Sequence, residues 1–586
     1  MELSLLQVIK ELPNHSRSKE LLNILSGETG VSSSGFPFIS DNSFKQFRDN
    51  IPLLFKDGLA VLHFLNGIER KLTSIDCTAE QLESIGRAIK VLRTIVYTAC
   101  VTSTPDLWIL RQILGTHKEI GILSHLLGGS EIEVKYYSEK NGLNADQLST
   151  DLHFLYSRGC LVESDRGFAI KDSPLVHELF KEIEEIPDLF KVNMVNKITD
   201  WFYGEKTEEK LIRSFLKTDL PYKPIKDWVA GITQVELGYR LLPLVLGFRV
   251  AGLTDKLNKG ASIDEQIPMM LPEMAMLLTQ GGMLDDGIVT ELGARVFNRG
   301  PGPFGIISAY HPYMNQLREL LAEDDAKVWV RRGANVAASQ DANAKTFKVG
   351  NDSLNRFREK YDFEFEVFIE HAVGQGEATR QRFLLDGEDT IKYIGADLED
   401  AAIDKAIEQQ EMGLLPQNMQ FIRGADIGDP GKAIQFLEEN ELNGKPSVMM
   451  VGNGFHEIRQ QTNERMVEVF QKYQEAGLVL IFTEESALND EDLLYTAWNT
   501  YHAGFRYVHQ ISGQGLRPAI DRGHKSILWS WRKCIRRSGY HLLEDYSYRS
   551  RSIYPFKSSR EENPSISVTY FCVPEIVFRS LGLKTS

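Results

Sequence analysis

The residues best suited to chemistry lie between positions 370 and 485. Glu370-His371-Ala372-Val373-Gly374-Gln375-Gly376 follows a short apolar run. A glycine turn there lets the backbone approach a ligand, and the helix after it offers its positive N-terminus. Asp397 stands 21 residues beyond Gly376, where a carboxylate accepts hydrogens from both hydroxyls of a ribose. Asp426, in Gly424-Ala425-Asp426-Ile427, ends the next apolar run and takes the position facing an adenine edge. A fourth run leads into Gly452-Asn453-Gly454-Phe455-His456-Glu457-Ile458-Arg459-Gln460. His456 and Gln460 are 4 apart, so a helix here brings both side chains to one face. An imidazole and an amide oxygen form a two-donor clamp for a borderline metal ion, with positions left open to water or substrate. As a proton acceptor, His456 needs a carboxylate to orient it, and Glu484 or Glu485 beyond the fifth run fills that place.

Placing these groups together requires alternating strands and helices. Apolar runs at 365–369, 393–396, 419–422, 447–451 and 478–482 read as strands. Helices separate them, such as 463–476, which sets Met466, Val469, Phe470 and Tyr473 on one face. This alternation specifies an α/β fold, a parallel, doubly wound sheet with ligands at the C-terminal strand ends. Strands at 541–546 and 566–571 complete it. The chain before it reads as helical. Within it, a helix at 134–140, a second capped by Asn144 and stopping at Gly159, and strands at 160–162 and 167–170 have the order of a winged helix-turn-helix. The second helix carries Asp146, Asp151 and His153 and is not basic, so DNA is not its expected partner. A similar pattern returns at 271–290, before a Gly/Pro turn at 300–303, and the linker is expected at 331–351. The expected organisation is a helical region at 1–105, a winged-helix-like unit and helical lid at 106–250, a second such unit and linker at 251–345, and the α/β core at 346–586.

Composition narrows the functional classes. The 586 residues carry a net charge of −15, which does not draw the whole surface to a phosphate backbone or an anionic membrane. Five cysteines, none in a CxxC pair, read as free thiols of a reducing cytoplasm. The N-terminus lacks the marks of a signal peptide. The most apolar helical stretch, 235–253, holds Glu236, Arg240 and Arg249 and so reads as a buried helix, not a membrane span. His311 in an aromatic turn, the Arg331-Arg332 pair, and Trp529 with Trp531 read as packing or solvated groups.

Over about residues 345 to 586 the chain resembles the class I S-adenosylmethionine-dependent methyltransferases, whose first motif is an acid followed by Gly-x-Gly-x-Gly. Here Glu370 is followed by Ala372, Gly374 and Gly376. A nicotinamide-dinucleotide fingerprint matches less well, because its third glycine falls on Thr379. The resemblance implies a Rossmann-like core with a seven-stranded, mostly parallel sheet. It implies S-adenosylmethionine held by Glu370, Gly374, Gln375, Gly376, Asp397, Leu398, Asp426, Ile427, Gly452 and Asn453. Asn453-x-x-His456 looks like the C-methyltransferase domains of polyketide synthases, and the His456/Gln460 pair resembles the iron-dependent, apratoxin-type domains of starter modules. That likeness implies one mononuclear iron or manganese on His456 and Gln460, with Asn453 beside them. It also implies methylation of the α-carbon of a malonyl-type group on an acyl carrier protein. The alternatives are a metal-independent small-molecule methyltransferase with His456 as base, and a winged-helix interaction protein that keeps a degenerate cofactor fold.

Overall fold

The computed structural model describes residues 17–584 except 32–34, 73–76, 206–207, 218, 225–228, 324–327, 329–332, 388–389, 460, 497, 499–501, 520–527 and 553–564. The chain divides into two compact units. The first comprises Met1–Val330 with Asp490–Val508 and Ile553–Asn563; the second comprises Arg331–Asn489, His509–Ser552 and Pro564–Ser586.

The first unit is built around α1 (Ala79–Glu119), which a Thr78/Gln81 capping box starts and which carries Pro105 in its interior. The boundary expected at 105/106 therefore falls inside one continuous helix. Helices α2 (Val134–Asn141) and α3 (Ala145–Ser157) precede the antiparallel hairpin of β1 (Leu161–Ser164) and β2 (Gly167–Ile170). Asn144 accepts from Gln147 N at 2.9 Å, as its cap role predicts. Helix α4 (Ile232–Val250) is buried from Ile232 to Phe248. Its Glu236 meets Arg111 at 2.5 Å and also pairs with Arg240. No helix among the described residues is long and apolar enough to cross a membrane. The later helix–hairpin pattern appears as α5 (Pro272–Gln280), β3 (Leu284–Asp285) and β4 (Ile288–Val289). It shares one compact unit with the earlier pattern, so the division at 250/251 separates nothing.

In the second unit, the expected linker is replaced by helix α6 (Gly333–Tyr361). Alanine is the best helix former, and its recurrence at 334, 337, 338, 342 and 344 outweighs the single glycine at the start. The core follows as β5 (Val367–His371), α7 (Glu377–Asp386), β6 (Lys392–Asp397), α8 (Asp400–Glu411) and β7 (Gln420–Arg423). It continues through α9 (Gly431–Glu439), β8 (Ser447–Gly452), α10 (Asn463–Glu475) and β9 (Leu478–Glu485), and then α11 (Trp531–Arg537), β10 (His541–Leu542), β11 (Tyr548–Ser552) and β12 (Ser565–Val573). The sheet order is β10-β12-β9-β8-β5-β6-β7, with β11 also on β12. Strands β5 to β9 are mutually parallel, and β12 runs antiparallel to β9. Numbered by chain, the parallel part reads 3-2-1-4-5, the order of a doubly wound sheet.

Among the described residues the sheet has 8 strands, not the seven expected. The single strand read at 541–546 breaks at a 3-10 turn, Glu544–Tyr546, into β10 and β11. Side chains alternate between two cores, as the pleat requires. Val367, Ile369, Met449, Val451, Leu478 and Leu480 pack in one, and Phe368, Val448, Met450, Val479 and Ile481 in the other. Strands covered on both faces read as continuous apolar runs, which is why sequence located them.

Candidate active site

The turn after β5 starts from Glu370, which is 1% exposed. Its oxygens accept from Ala378 N at 3.1 Å and Thr379 N at 2.7 Å, so it caps the start of α7. Burial pushes its carboxyl up to about 7, against the pull of those donors. Glu370 thus braces the turn and does not face a ligand. Gly376 has φ +79°, and a side chain there would meet Leu415 at 2.7 Å. Gln375 is exposed.

Ala372, where the motif has its first glycine, is itself left-handed, with φ 60°. The strain of that conformation is about 1–2 kcal/mol for a residue with a Cβ. Glycine also adds freedom to the unfolded chain, which costs back about 0.5–1 kcal/mol. Ala372→Gly is therefore expected to stabilise the second unit by about 0.5–1 kcal/mol, read as a raised urea midpoint. A lowered midpoint would mean that the alanine methyl contributes packing that outweighs the strain.

Asp397 ends β6. Its Oδ2 accepts from Gly374 N at 3.2 Å and its Oδ1 from Glu399 N at 3.0 Å. A carboxylate has about four acceptor sites, so each oxygen keeps one for a ribose hydroxyl. Burial holds its carboxyl above the ordinary range. Leu398 beside it is 42% exposed. Asp426 Oδ1 accepts from Gly428 N at 2.8 Å, which fixes the turn after β7, while Ile427 packs into the core. The neutral His371 ties this turn to the end of β5. Burial lowers its pKa to about 4, its Nε2 lies 3.2 Å from Ala425 O, and its Nδ1 lies 3.2 Å from the Tyr473 hydroxyl. A cavity of about 250 Å³ opens between Asp426, Gly428, Glu457, Arg459 and Arg465. The glycine turn and two carboxylates with acceptor sites to spare fit S-adenosylmethionine.

At the end of β8, Gly452 lies against the Phe347 ring, whose nearest atom would be 2.4 Å from a Cβ. Asn453 is left-handed, with φ 52°, and its N–H donates to Thr483 O at 2.8 Å. His456 follows on a single 3-10 turn, Phe455–Glu457. Its Nδ1 is 2.6 Å from Glu484 Oε2, while Glu484 Oε1 accepts from Phe455 N at 2.6 Å. Glu484 is 0% exposed and His456 5%. Burial alone would lower the His456 pKa. The Glu484 carboxylate, aided by Glu457, outweighs it and raises His456 from 6.5 to about 10. Glu485 takes no part in this pair, since neighbouring residues of a strand face opposite sides.

The helix expected over 456–460 does not form. Ile458 is extended, Arg459 bridges to Gln514, and the next helix starts at Asn463 after the Thr462 cap. Gln460 lies outside the described residues, so the one-face argument for a His–Gln clamp has no helix to stand on. No group of three His, Cys, Asp or Glu side chains among the described residues is placed to hold a metal ion. His456 Nε2 lies 3.5 Å from Glu457 Oε1; only the deprotonated ring could offer Nε2 to a metal, with Glu484 on Nδ1 as the usual outer support of a metal-bound histidine.

Sequence reasoning missed the frame around His456. Gly515 N donates to His456 O at 3.0 Å, and Gln461 donates to Phe455 O at 2.7 Å. Arg517, 0% exposed, donates to Gln461, Asn463 and the Thr462 and Trp529 carbonyls. The ring of His509 stands 5.0 Å from that of His456. No spacing in the sequence links positions 514–517 to 456. Among the remaining candidates, His311 is buried in the first unit beside Trp108 and held near pKa 4 by burial. Trp531 is core, with Trp529 packed against it. Arg331-Arg332 lies outside the described residues.

No protein-family model matches the chain, and no curated protein matches it in sequence. Solved structures do match. An O-methyltransferase family 2 protein from Planctomyces limnophilus, in complex with apigenin, is 11% identical over 81% of this chain and 96% of its own, with a TM-score of 0.33. The DszA carbon methyltransferase is 14% identical over 87% and 96%, with a TM-score of 0.32. PigF with SAH is 15% identical over 58% and 97%, with a TM-score of 0.36. Scores this low say nothing of substrate, so the assignment rests on the strands themselves. A parallel 3-2-1-4-5 sheet, closed by an antiparallel strand and opening at the glycine turn after its first strand, gives the second unit the fold of the class I S-adenosylmethionine-dependent methyltransferases.

Proposed function

We propose that the chain is an S-adenosylmethionine-dependent methyltransferase in which His456, oriented by Glu484, accepts the proton that the acceptor loses. The observation that carries this reading is the buried 2.6 Å pair of His456 Nδ1 and Glu484 at the C-terminal end of the parallel strands. S-adenosylmethionine supplies the electrophilic methyl group. Asp397 orients it through the ribose, and the turn at Gly374 and Gly376 lets the backbone approach. With Nδ1 committed to Glu484, His456 presents Nε2 to the acceptor. The acceptor we propose is the α-carbon of a malonyl-type thioester on a carrier protein, a carbon acid that becomes a nucleophile once His456 takes its proton. The test is transfer of a mass-labelled methyl group to malonyl-loaded carrier protein, set beside a hydroxyl acceptor. Transfer to the hydroxyl alone would discard the carbon-acid reading and keep the methyltransferase.

Binding of the donor has its own test. A bidentate hydrogen-bonded carboxylate contributes about 1.5–3 kcal/mol, so Asp397→Ala should weaken S-adenosylmethionine binding by about 10–100-fold. Isothermal titration of the purified protein measures it; an unchanged affinity would remove Asp397 from the site.

The support of His456 by Glu484 favours a second reading. A mononuclear iron or manganese would take His456 Nε2 and Gln460 as its protein donors, and would supply Lewis-acid stabilisation of enolate charge. Metal analysis before and after exhaustive chelation decides between them. Full activity without metal leaves the proton-accepting pair, and loss restored by metal replaces it.

A further inference from the structure

We propose that Arg517 is a positioning residue for the reaction: its guanidinium, through Gln461, fixes the turn that carries His456, and its carbonyl holds the chain beyond Glu484. This rests on the reading of His456 as proton acceptor. Arg517 is 0% exposed, and no carboxylate among the described residues pairs with it. Its guanidinium donates instead to Gln461 Oε1 at 2.8 Å, Asn463 Oδ1 at 2.9 Å, Thr462 O at 2.7 Å and Trp529 O at 3.1 Å. Exchanging a buried charge for an apolar side chain of similar volume is often neutral or stabilising, so packing alone does not call for an arginine here. A rigid, planar fork of donors does, and lysine cannot supply it.

The fork sets how Gln461 points. With Arg517 Nε donating to its Oε1, the amide nitrogen of Gln461 faces Phe455 O and donates to it at 2.7 Å. On the other side of the same residue, Phe455 N donates to Glu484 Oε1 at 2.6 Å. Gly515, on the Arg517 segment, donates its N–H to His456 O at 3.0 Å. These bonds matter because His456 stands on a single 3-10 turn, Phe455–Glu457, that no helix continues. Its partners outside the turn must place it. The Glu484 side is tied to the same residue, since Ala487 N donates to Arg517 O at 2.9 Å. Arg517 thus joins the turn that bears the imidazole to the chain that follows the carboxylate. The 2.6 Å bond from His456 Nδ1 to Glu484 spans the two.

The fit leaves Gln461 no slack. A Cβ on Gly515 would lie 2.2 Å from Gln461 Cδ, so an alanine there displaces the amide without touching the charge. Without the fork, the Gln461 amide turns freely and Phe455 O loses its donor. The imidazole then shifts against both Glu484 and the acceptor, and a misplacement of about 1 Å costs about 10²-fold in rate.

The experiment compares Arg517→Lys, Gln461→Leu and Gly515→Ala with the wild type, as full chains held below the onset of unfolding that a thermal scan finds for each. The first readout is the NMR signal of His456 Nδ1–H in chain labelled with ¹⁵N-histidine, assigned by its loss in His456→Asn. Glu484 keeps that proton on Nδ1 whatever the state of Nε2, and the signal moves upfield as the bond lengthens. The second readout sets kcat for methyl transfer beside the affinity for S-adenosylmethionine. Each variant should move the signal upfield and lower kcat by about 10–100-fold, with the affinity within about twofold of wild type. Arg517→Lys joined to Gln461→Leu should cost no more than the larger single loss, since both break one relay. A wild-type signal and kcat in Arg517→Lys overturns the proposal and leaves Arg517 as packing. Where Arg517→Lys does not fold, the same result in Gln461→Leu and Gly515→Ala overturns it. Losses that fall equally on the affinity overturn it too, because they mark a general disruption. A shifted signal together with methyl transfer by His456→Asn at the wild-type rate keeps the positioning and discards the proton-acceptor reading.

Discussion

Replacing His456 by alanine lowers methyl transfer by about 10²–10⁴-fold, the worth of a positioned proton acceptor, and leaves S-adenosylmethionine affinity close to wild type. Asp397 ends β6 and the glycine turn follows β5, while His456 follows β8, so the substitution leaves the contacts of Asp397 in place. The rate also carries the signature of the pair. His456 accepts a proton only when neutral, and the Glu484 carboxylate keeps it protonated up to about pH 10. The rate of the proton-limited step therefore rises about tenfold per pH unit through neutrality and levels off near that value. Glu484→Gln removes the charge that raises the pKa, so the plateau should begin at lower pH and at a lower rate. Residues that act as one unit do not add, so His456→Ala with Glu484→Gln should cost about as much as His456→Ala alone. A pH-independent rate, or losses that multiply in the double variant, would show that the two do not work together. Stability follows the opposite course. The folded pKa of His456 lies above its unfolded value of 6.5, so the pair's contribution is complete below about pH 6.5 and fades as pH climbs toward 10.

The strands were legible because burial on both faces leaves them no freedom of composition. Each apolar run, from Phe368-Ile369 to Leu480-Ile481, sits within two residues of an observed strand. Asp397 was located at a strand end for a related reason, since it closes β6, whereas Asp426 lies in the turn beyond Arg423, the end of β7. Spacing misled where it stood alone. The interval between His456 and Gln460 suits a helix, but Thr462 caps one that starts at Asn463, and the residues before it are bound to Gln514 and Phe455. Composition misled at 331–351, where polar residues suggested a linker and alanines made a helix. Glu484 was found only as one of two adjacent acids, since strand register decides which turns toward His456. Glu457, Gln514 and Arg517 carry no local mark at all. Their roles come from tertiary neighbours, and a sequence pattern holds no record of those.

Arg158→Met should destabilise the first unit by about 3–5 kcal/mol, the cost of leaving a buried charge without its partner. Arg158 and Asp106 both have side chains 0% exposed and meet at 3.0 Å, and Asp106 also accepts from Gly504 N at 3.0 Å. Burial lifts the Asp106 carboxyl to about 7, with Arg158 pulling it back. Because that value lies above the ordinary 3.8, the protonated acid favours the folded state at low pH, and the stability it gives is lost as pH rises from about 4 through 7. The pair joins three stretches far apart in sequence. Asp106 belongs to α1, Arg158 follows α3, and Gly504 lies in Asp490–Val508, the stretch that interrupts the second unit in sequence and belongs to the first. Other bonds hold the same stretch: His153 to Asp490 at 2.6 Å, Tyr507 to Asp151 at 2.8 Å, and Thr102 to Trp498 O at 2.6 Å. Arg158→Met should therefore expose Asp490–Val508 to hydrogen exchange before α4 opens. Adding Asp106→Asn removes the stranded acid and should recover a large part of the loss, which a differential unfolding scan of the two variants measures directly. Equal losses in the single and double variants would mean that Arg158 acts through its packing on Trp498, whose ring it covers at 5.2 Å, and not through its charge.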